Sequence, residues 1–134
     1  MQSDTLEGAI TMQHRRDATL AAALLDRTRA RIQDPGRWTA SSYALDAEHE
    51  PVHELSPRAV RWCVLGALNA VSEGLLAARE LAEKELAAGA GATPNQMREK
   101  ATRVRAVLKF NDQSTHAEVL SWLSGAAKSL RSRP

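Results

Sequence analysis

The chain has a single cysteine, one phenylalanine and one tyrosine among its 134 residues, and it has no run of 18 apolar residues. One cysteine excludes an intrachain disulfide and is typical of a protein kept in a reducing compartment. The missing apolar run argues against a membrane-spanning helix, and the first residues lack the pattern of a secretory signal. The sequence therefore predicts a cytoplasmic protein with no membrane contact.

The composition that remains favours helices, because alanine is abundant and β-prone aromatic residues are scarce. A chain of 134 residues has the length of one domain. We expect a mainly α fold: a single compact domain of four to five helices over residues 15–134, with a small β-hairpin between the first and the central helix. Residues 1–14 have weak periodicity and are predicted to form a flexible N-terminal lead-in.

The segment around the cysteine predicts the central helix. Its apolar residues recur at helical spacing, and Ser56 followed by Pro57 has the form of an N-cap and a first helical residue. We therefore expect a helix over 56–71 that carries Cys63 in its second turn, on the apolar face. Gly66 in a helix interior costs about 1 kcal/mol relative to alanine, so a neighbouring group should approach closely there.

The remaining elements are predicted from periodicity, capping signals and turn residues. They are a first helix over 17–33, a hairpin of strands at 38–45 and 51–53, a helix over 73–87, a helix opening with Thr93 and Gln96, a turn at 110–114, and a C-terminal helix opening with Thr115 and Glu118.

One set of residue types has the composition of a thiol hydrolase. Cys63 would be the nucleophile, His116 the base, and Asn111 or Asp112 the group that orients the base. A cysteine on an apolar helix face is expected to be an inert thiol, however, because a reactive thiolate needs a nearby cation or a helix N-terminus. Asn111 and Asp112 are also ordinary turn residues, so a structural role explains the same set.

The string His49-Glu50-Pro51-Val52-His53 matches the H-E-x-x-H pattern of zinc proteases. That pattern binds zinc only when a continuous helix places both histidines on one face. Pro51 removes a backbone donor and biases the preceding residue away from helix. We therefore predict no catalytic zinc site, no other metal site and no cofactor.

Charge is unevenly distributed along the chain. Residues 98–134 carry eight Lys or Arg and three acidic residues, whereas the first 97 residues have a net charge of −3. A basic half is compatible with nucleic-acid binding. The cations are dispersed and no aromatic lies among them to stack on a base, so we expect nucleic-acid binding no tighter than about micromolar.

Two separated motifs are present: Trp62-Cys63-x-x-Gly66-Ala67-Leu68, and then Phe110-Asn111-Asp112 with Thr115-His116-x-Glu118-Val119. Together they resemble a family of small bacterial and phage proteins, the domain of unknown function 6197. The resemblance would cover roughly residues 17–130, and it implies no activity. The acidic turn at 48–50 and the long insertion at 73–93 depart from the family pattern.

These observations favour a small non-catalytic accessory or regulatory protein of bacterial or phage origin. It would bind another macromolecule, and a protein is the favoured kind of partner. A hydrolase or transferase dependent on Cys63 and His116 is the alternative, and a nucleic-acid-binding protein that uses the basic C-terminal half is the second. Homo-oligomerisation is left open. The candidate binding residues are Trp38, Tyr43, Trp62, Asn111, Asp112 and His116.

Overall fold

The computed structural model describes the backbone of residues 2–133 and the side chains of residues 6–133. The chain begins with helix α1, Gln2–Arg31, which starts well before the predicted residue 17. The second half of α1 packs on the body, whereas every side chain from residue 6 to residue 16 is exposed. The flexibility expected for residues 1–14 stays a prediction.

A small antiparallel hairpin follows, as predicted, but its second strand lies elsewhere than expected. Strand β1, Ala44–Leu45, pairs with β2, Arg61–Trp62, with Ala44 opposite Trp62. The predicted return strand at 51–53 is wrong, because Pro51 makes only an isolated bridge to Leu45. The Asp46 N–H donates to the Glu50 carbonyl oxygen at 2.9 Å and the Val52 N–H to the Ala44 carbonyl oxygen at 3.1 Å on either side of this bridge, and no strand forms at 51–53.

The central helix α2 is shorter than predicted and spans Val64–Val71. The predicted start at residues 56 and 57 is wrong, because the chain there is a turn followed by β2. Cys63 is the true N-cap, and its sulfur accepts a hydrogen bond from the Gly66 N–H at 3.3 Å. The close approach expected at Gly66 is confirmed: a Cβ built there would lie 2.0 Å from the carbonyl oxygen of Tyr43.

Four further helices complete the fold, so the part of the chain that the structure describes has six helices instead of four to five. They are α3, Leu76–Gly89; α4, Pro94–Arg98; α5, Lys100–Gln113; and α6, His116–Arg131. The capping boxes predicted at Thr93 and Thr115 are both present. The predicted turn at 110–114 is wrong for residues 110–113, which form the last turn of α5.

The core lies where α1 packs against α2, α3 and α6. Leucines dominate it, and each fully buried leucine contributes about 1.5–3 kcal/mol relative to an exposed one. The 38–63 segment, which contains both strands, covers one end of this core instead of forming a layer of its own. The leucines buried to within 2% are Leu24, Leu25, Leu65, Leu68, Leu86, Leu123 and Leu130.

Candidate functional site

Asn111, near the end of α5, connects three parts of the chain. Its Oδ1 accepts hydrogen bonds from Trp38 Nε1 at 2.9 Å and from the Val64 N–H at 3.0 Å. Its Nδ2 donates to the Thr39 carbonyl oxygen at 3.2 Å. The side chain is fully buried. These three hydrogen bonds attach the 38–63 segment and the first turn of α2 to α5.

Asp112, the next residue, completes this attachment. Its Oδ1 accepts the Ser41 N–H at 2.9 Å and also the Asn111 Nδ2–H at 3.0 Å. Ser41 has φ 69°, a left-handed conformation that is uncommon for a residue with a side chain. The carboxylate thus stabilises a strained backbone position, and strain of this kind persists only where the surroundings determine it.

Cys63 is placed as a buried structural thiol. It is 1% exposed, and burial raises its pKa to about 11, although hydrogen bonds from the Gly66 and Leu65 N–H groups oppose that shift. Its position at the start of α2 differs from the second-turn position expected from the sequence. A helix N-terminus normally favours a thiolate, but burial outweighs it here.

His116, at the start of α6, is held by the end of α1. Its Nε2 lies 2.7 Å from the carbonyl oxygen of Ile32, and because a carbonyl can only accept, Nε2 carries the hydrogen. The ring centroid lies 5.7 Å from that of Trp38. Among the described residues, no hydrogen bond joins His116 to Cys63, so the nucleophile and base contact required of a thiol hydrolase is not formed.

The three aromatic binding candidates differ in exposure. Trp62 is 7% exposed, donates from Nε1 to the Glu54 carbonyl oxygen at 3.0 Å, and has the Arg31 guanidinium 4.8 Å from its ring centroid. Trp38 is half-buried, and its Nε1 donates to Asn111 Oδ1. Tyr43 is 39% exposed. Of the three, Tyr43 is the most accessible to a partner. The two tryptophans are less exposed, and their indole N–H groups make hydrogen bonds within the protein.

The string that resembles a zinc-protease motif forms a turn instead of a helix. Asp46 Oδ1 accepts the Glu48 and Glu50 N–H groups, each at 2.9 Å, and His49 adopts φ 64°. These hydrogen bonds, that from Glu50 above all, lower the pKa of Asp46. Within residues 6–133, no group of three or more His, Cys, Asp and Glu side chains could hold a metal ion.

A buried ionic network between α3 and α5 is a feature that sequence reasoning missed. Glu83 is fully buried, with Arg79 Nη1 at 2.7 Å and Arg103 Nε at 3.3 Å from its two oxygens. Glu80 accepts from Arg103 Nη2 at 3.2 Å and from Lys100 Nζ at 2.7 Å. The four-residue spacing from Glu80 to Lys84 and from Glu99 to Arg103 predicts a pair on each helix. Neither pair forms among the described contacts.

The same network reaches the 38–63 segment. Arg79 Nε donates to Asn69 Oδ1 at 2.8 Å, and Asn69 Nδ2 donates to Glu54 Oε1 at 3.0 Å. A sequence signal existed, since Glu83 follows Arg79 by four residues and lies on the face of α3 that also carries Leu86. A charged residue that is fully buried on such a face is almost always paired.

Four of the eight cations of the basic C-terminal half make ion pairs among the described contacts. Lys100 and Arg103 belong to the ionic network, Arg131 pairs with Asp26, and Arg133 pairs with Glu85 at 2.5 Å. Fewer cations are thus left to neutralise phosphates, which weakens the nucleic-acid hypothesis.

A groove of about 730 Å³ lies between the middle of α1, α3 and the end of α6. None of the site residues predicted from the sequence lines it. Apolar, basic and acidic side chains all line it, among them Ala18, Leu81 and Leu130, the basic Arg15, Lys84, Arg131 and Arg133, and the acidic Asp17 and Glu80.

Comparison with known proteins gives a family without a described activity. No curated protein and no solved structure matches the chain significantly. No helix in residues 2–133 is long and apolar enough to cross a membrane. The profile of a family of unknown function, DUF6197, matches residues 16–129, which is most of the chain. The chain therefore belongs to the DUF6197 family.

Proposed function

We propose that the protein is a non-catalytic accessory or regulatory protein, bacterial or phage-encoded and cytoplasmic, that binds another protein through the outer surface of the 38–63 segment. One observation carries this proposal. Asn111, Asp112 and Trp38, which could have belonged to a catalytic or ligand site, are occupied in holding that segment.

The segment has the character of a preformed recognition loop. Only four of its residues are in strands, yet buried polar side chains fix it at both ends and at its acidic turn. Long irregular segments in small domains are usually functional, and a rigid loop binds with a smaller loss of conformational entropy.

The outer surface of the segment indicates the chemistry of the partner. It exposes Tyr43 by 39%, Leu55 by 50% and Val60 by 39%. Glu48 and Glu50 are exposed in its turn, and neither makes an ion pair among the described contacts. A protein surface with an apolar centre and neighbouring Lys or Arg side chains complements this pattern.

Support for the hydrolase alternative is weaker, because it requires a deprotonated Cys63 near His116. The thiol is buried with a raised pKa, and the imidazole Nε2 donates to Ile32. A substrate would have to displace the 38–63 segment to reach the sulfur.

Site-specific photo-crosslinking in the native host tests the binding surface. A crosslinker at position 55 should capture one defined protein, and the same group at position 10 is the matched control, because Leu55 and Ile10 are equally exposed at 50%. With the captured protein purified, Leu55→Asp should weaken binding at least tenfold, which corresponds to about 1.4 kcal/mol. Ile10→Asp should leave it unchanged.

A second arm addresses catalysis. Cys63→Ala should bind the captured protein as tightly as the natural chain, provided that the variant unfolds cooperatively. If Leu55→Asp and the natural chain bind equally, the proposed surface is wrong. If the natural chain changes the captured protein covalently and Cys63→Ala binds that protein but leaves it unchanged, the hydrolase alternative replaces the present one.

A further inference from the structure

One side of α5 forms the floor of a second groove, which we call the α5 groove. It has a volume of about 430 Å³, and the turn between α3 and α4 forms its opposite wall. Pockets that hold small molecules in proteins usually have about 300–1,000 Å³. The α5 residues that line the groove share one side of the helix, and they are Thr102, Arg105, Ala106, Lys109, Phe110 and Gln113.

The α5 groove carries two positive charges and no negative one. Arg105 and Lys109 are four positions apart, so their side chains are neighbours on the helix surface. Neither makes an ion pair among the described contacts, and no Asp or Glu lines the groove. The groove beside α1, by contrast, has Asp17 and Glu80 in its lining. An anion is therefore the kind of ligand that the α5 groove favours.

Phe110 gives the α5 groove a flat apolar surface beside the two cations. Its ring packs against Trp122, with the ring centroids 4.4 Å apart, and Trp122 Nε1 donates to the Leu86 carbonyl oxygen at 3.0 Å. These contacts restrict the orientation of the Phe110 ring. Aromatic side chains stack on planar groups, and nucleic bases are a common example. The groove thus combines an anion-binding pair with a stacking surface.

We propose that the α5 groove binds a free nucleoside monophosphate, with the phosphate at Arg105 and Lys109 and the base against Phe110. A phosphate monoester carries about −1.5 to −2 charges at pH 7, which matches the two cations, whereas a carboxylate would neutralise only one of them. The planar guanidinium of Arg105 can also bind two phosphate oxygens at once. None of the lining residues belongs to the 38–63 segment, so the inference does not depend on the proposed function.

The remaining polar side chains of the α5 groove suit the sugar and the edge of the base. Gln113 is exposed at the end of α5, and its amide can both donate and accept a hydrogen bond. Gln96 uses Oε1 to accept the Thr93 N–H at 2.8 Å, which leaves its Nε2 hydrogens available to a ligand. Small residues leave the opposite wall open, and they are Ala90, Gly91 and Ala92.

Titration calorimetry of the full chain with each of the four ribonucleoside 5′-monophosphates tests the proposal. At physiological salt, at least one nucleotide should bind with a Kd of about 100 μM or tighter. Arg105→Ala and Lys109→Ala should each weaken this binding at least tenfold, because the phosphate would lose one of its two cations. Lys128→Ala is the matched control, since Lys128 is an exposed lysine of α6 that does not line the groove.

Two results of this titration would overturn the proposal. One is a natural chain that binds none of the four nucleotides at about 1 mM. The other is a pair of variants, Arg105→Ala and Lys109→Ala, that both bind the nucleotide as tightly as the natural chain does.

A filled groove distinguishes a nucleotide site from a general attraction of anions. Ala106→Phe places a large side chain on the floor without a change of charge, and it should abolish nucleotide binding. Ala101→Phe is the control, because Ala101 is exposed on the same helix and lies outside the groove. If Ala106→Phe unfolds cooperatively and still binds the nucleotide as the natural chain does, the groove is not the site.

Comparison of probes identifies the ligand. Inorganic phosphate and the nucleoside without phosphate should each bind at least tenfold more weakly than the nucleotide, because each fills only one part of the groove. If inorganic phosphate binds as tightly as the nucleotide, the role of Phe110 is wrong and the proposal fails. If a 5′-phosphorylated oligonucleotide binds more than tenfold more tightly, the end of a nucleic-acid strand replaces the free nucleotide as the occupant.

Discussion

Replacing Asn111 with alanine removes the side chain that joins α5, the 38–63 segment and the first turn of α2. Val64 would lose the acceptor for a buried backbone N–H, and Trp38 Nε1 and the Thr39 carbonyl oxygen would lose their partners as well. A buried polar group left without a partner costs about 1–3 kcal/mol. Trp38 and Thr39 are only partly buried, so water can reach them, and we expect a total loss of about 3–5 kcal/mol.

Urea unfolding followed by tryptophan fluorescence measures this loss. Small domains are stable by about 5–15 kcal/mol, so the Asn111→Ala variant should still fold but unfold at a much lower urea concentration. Gln113→Ala is the control, since Gln113 is exposed in the same helical turn and should change stability by less than about 0.5 kcal/mol. A loss below about 1 kcal/mol for Asn111→Ala would refute the structural role assigned to this side chain.

Three further substitutions or conditions have defined outcomes. Gly66→Ala should destabilise the fold by at least about 2 kcal/mol in thermal unfolding, because its Cβ would lie 2.0 Å from the Tyr43 carbonyl oxygen. Gly125→Ala is the control: a Cβ there has nothing within 4 Å, so the fold should become more stable by about 1 kcal/mol. Folding stability should fall as pH rises from about 9 to about 11, because the thiol of the unfolded chain loses its proton at a lower pH than the buried thiol does. Cys63→Ala should reduce this dependence of stability on pH, and an equal dependence in both chains would contradict the burial of the thiol. Glu83→Gln should lower the free energy of unfolding in urea by about 3 kcal/mol, because Arg79 and Arg103 would each lose a negatively charged partner. Glu48→Gln is the control: Glu48 is exposed, so this change should cost almost nothing.

The parts of the fold that depend on local sequence were predictable. Both capping boxes, at Thr93 and Thr115, form because the residues concerned lie within one helical turn of each other. The close approach at Gly66 was also predictable in kind, since glycine in a helix interior requires a reason. The approaching group, the Tyr43 carbonyl, could not be identified, because it comes from another element.

The start of α2 was predicted wrongly for a physical reason. Ser56 and Pro57 have the residue types of a helix start, but Ser56 forms a local turn in which its Oγ accepts the Arg58 N–H at 3.1 Å. The following residues then pair with β1, a contact that no local pattern specifies. The cap is instead Cys63, whose sulfur is a weak acceptor that standard capping preferences do not include.

The sequence identified which residues lie together at the candidate site, but it did not show what those residues do. The sequence singled out Asn111, Asp112, His116 and Trp38, and the structure brings them together at one end of the core. Their chemistry depends on partners far away in sequence, such as Ile32 and Ser41. The ionic network around Glu83 was missed because charged residues on helices are usually solvated.

The contacts of Asn111 also have a consequence for the order of folding. They join residues separated by 47, 72 and 73 positions along the chain. Closing loops of that length costs conformational entropy before the contacts form, so such contacts belong to the late stages of folding. The surface proposed for partner binding is therefore fixed late in folding, and local opening at Asn111 would release it.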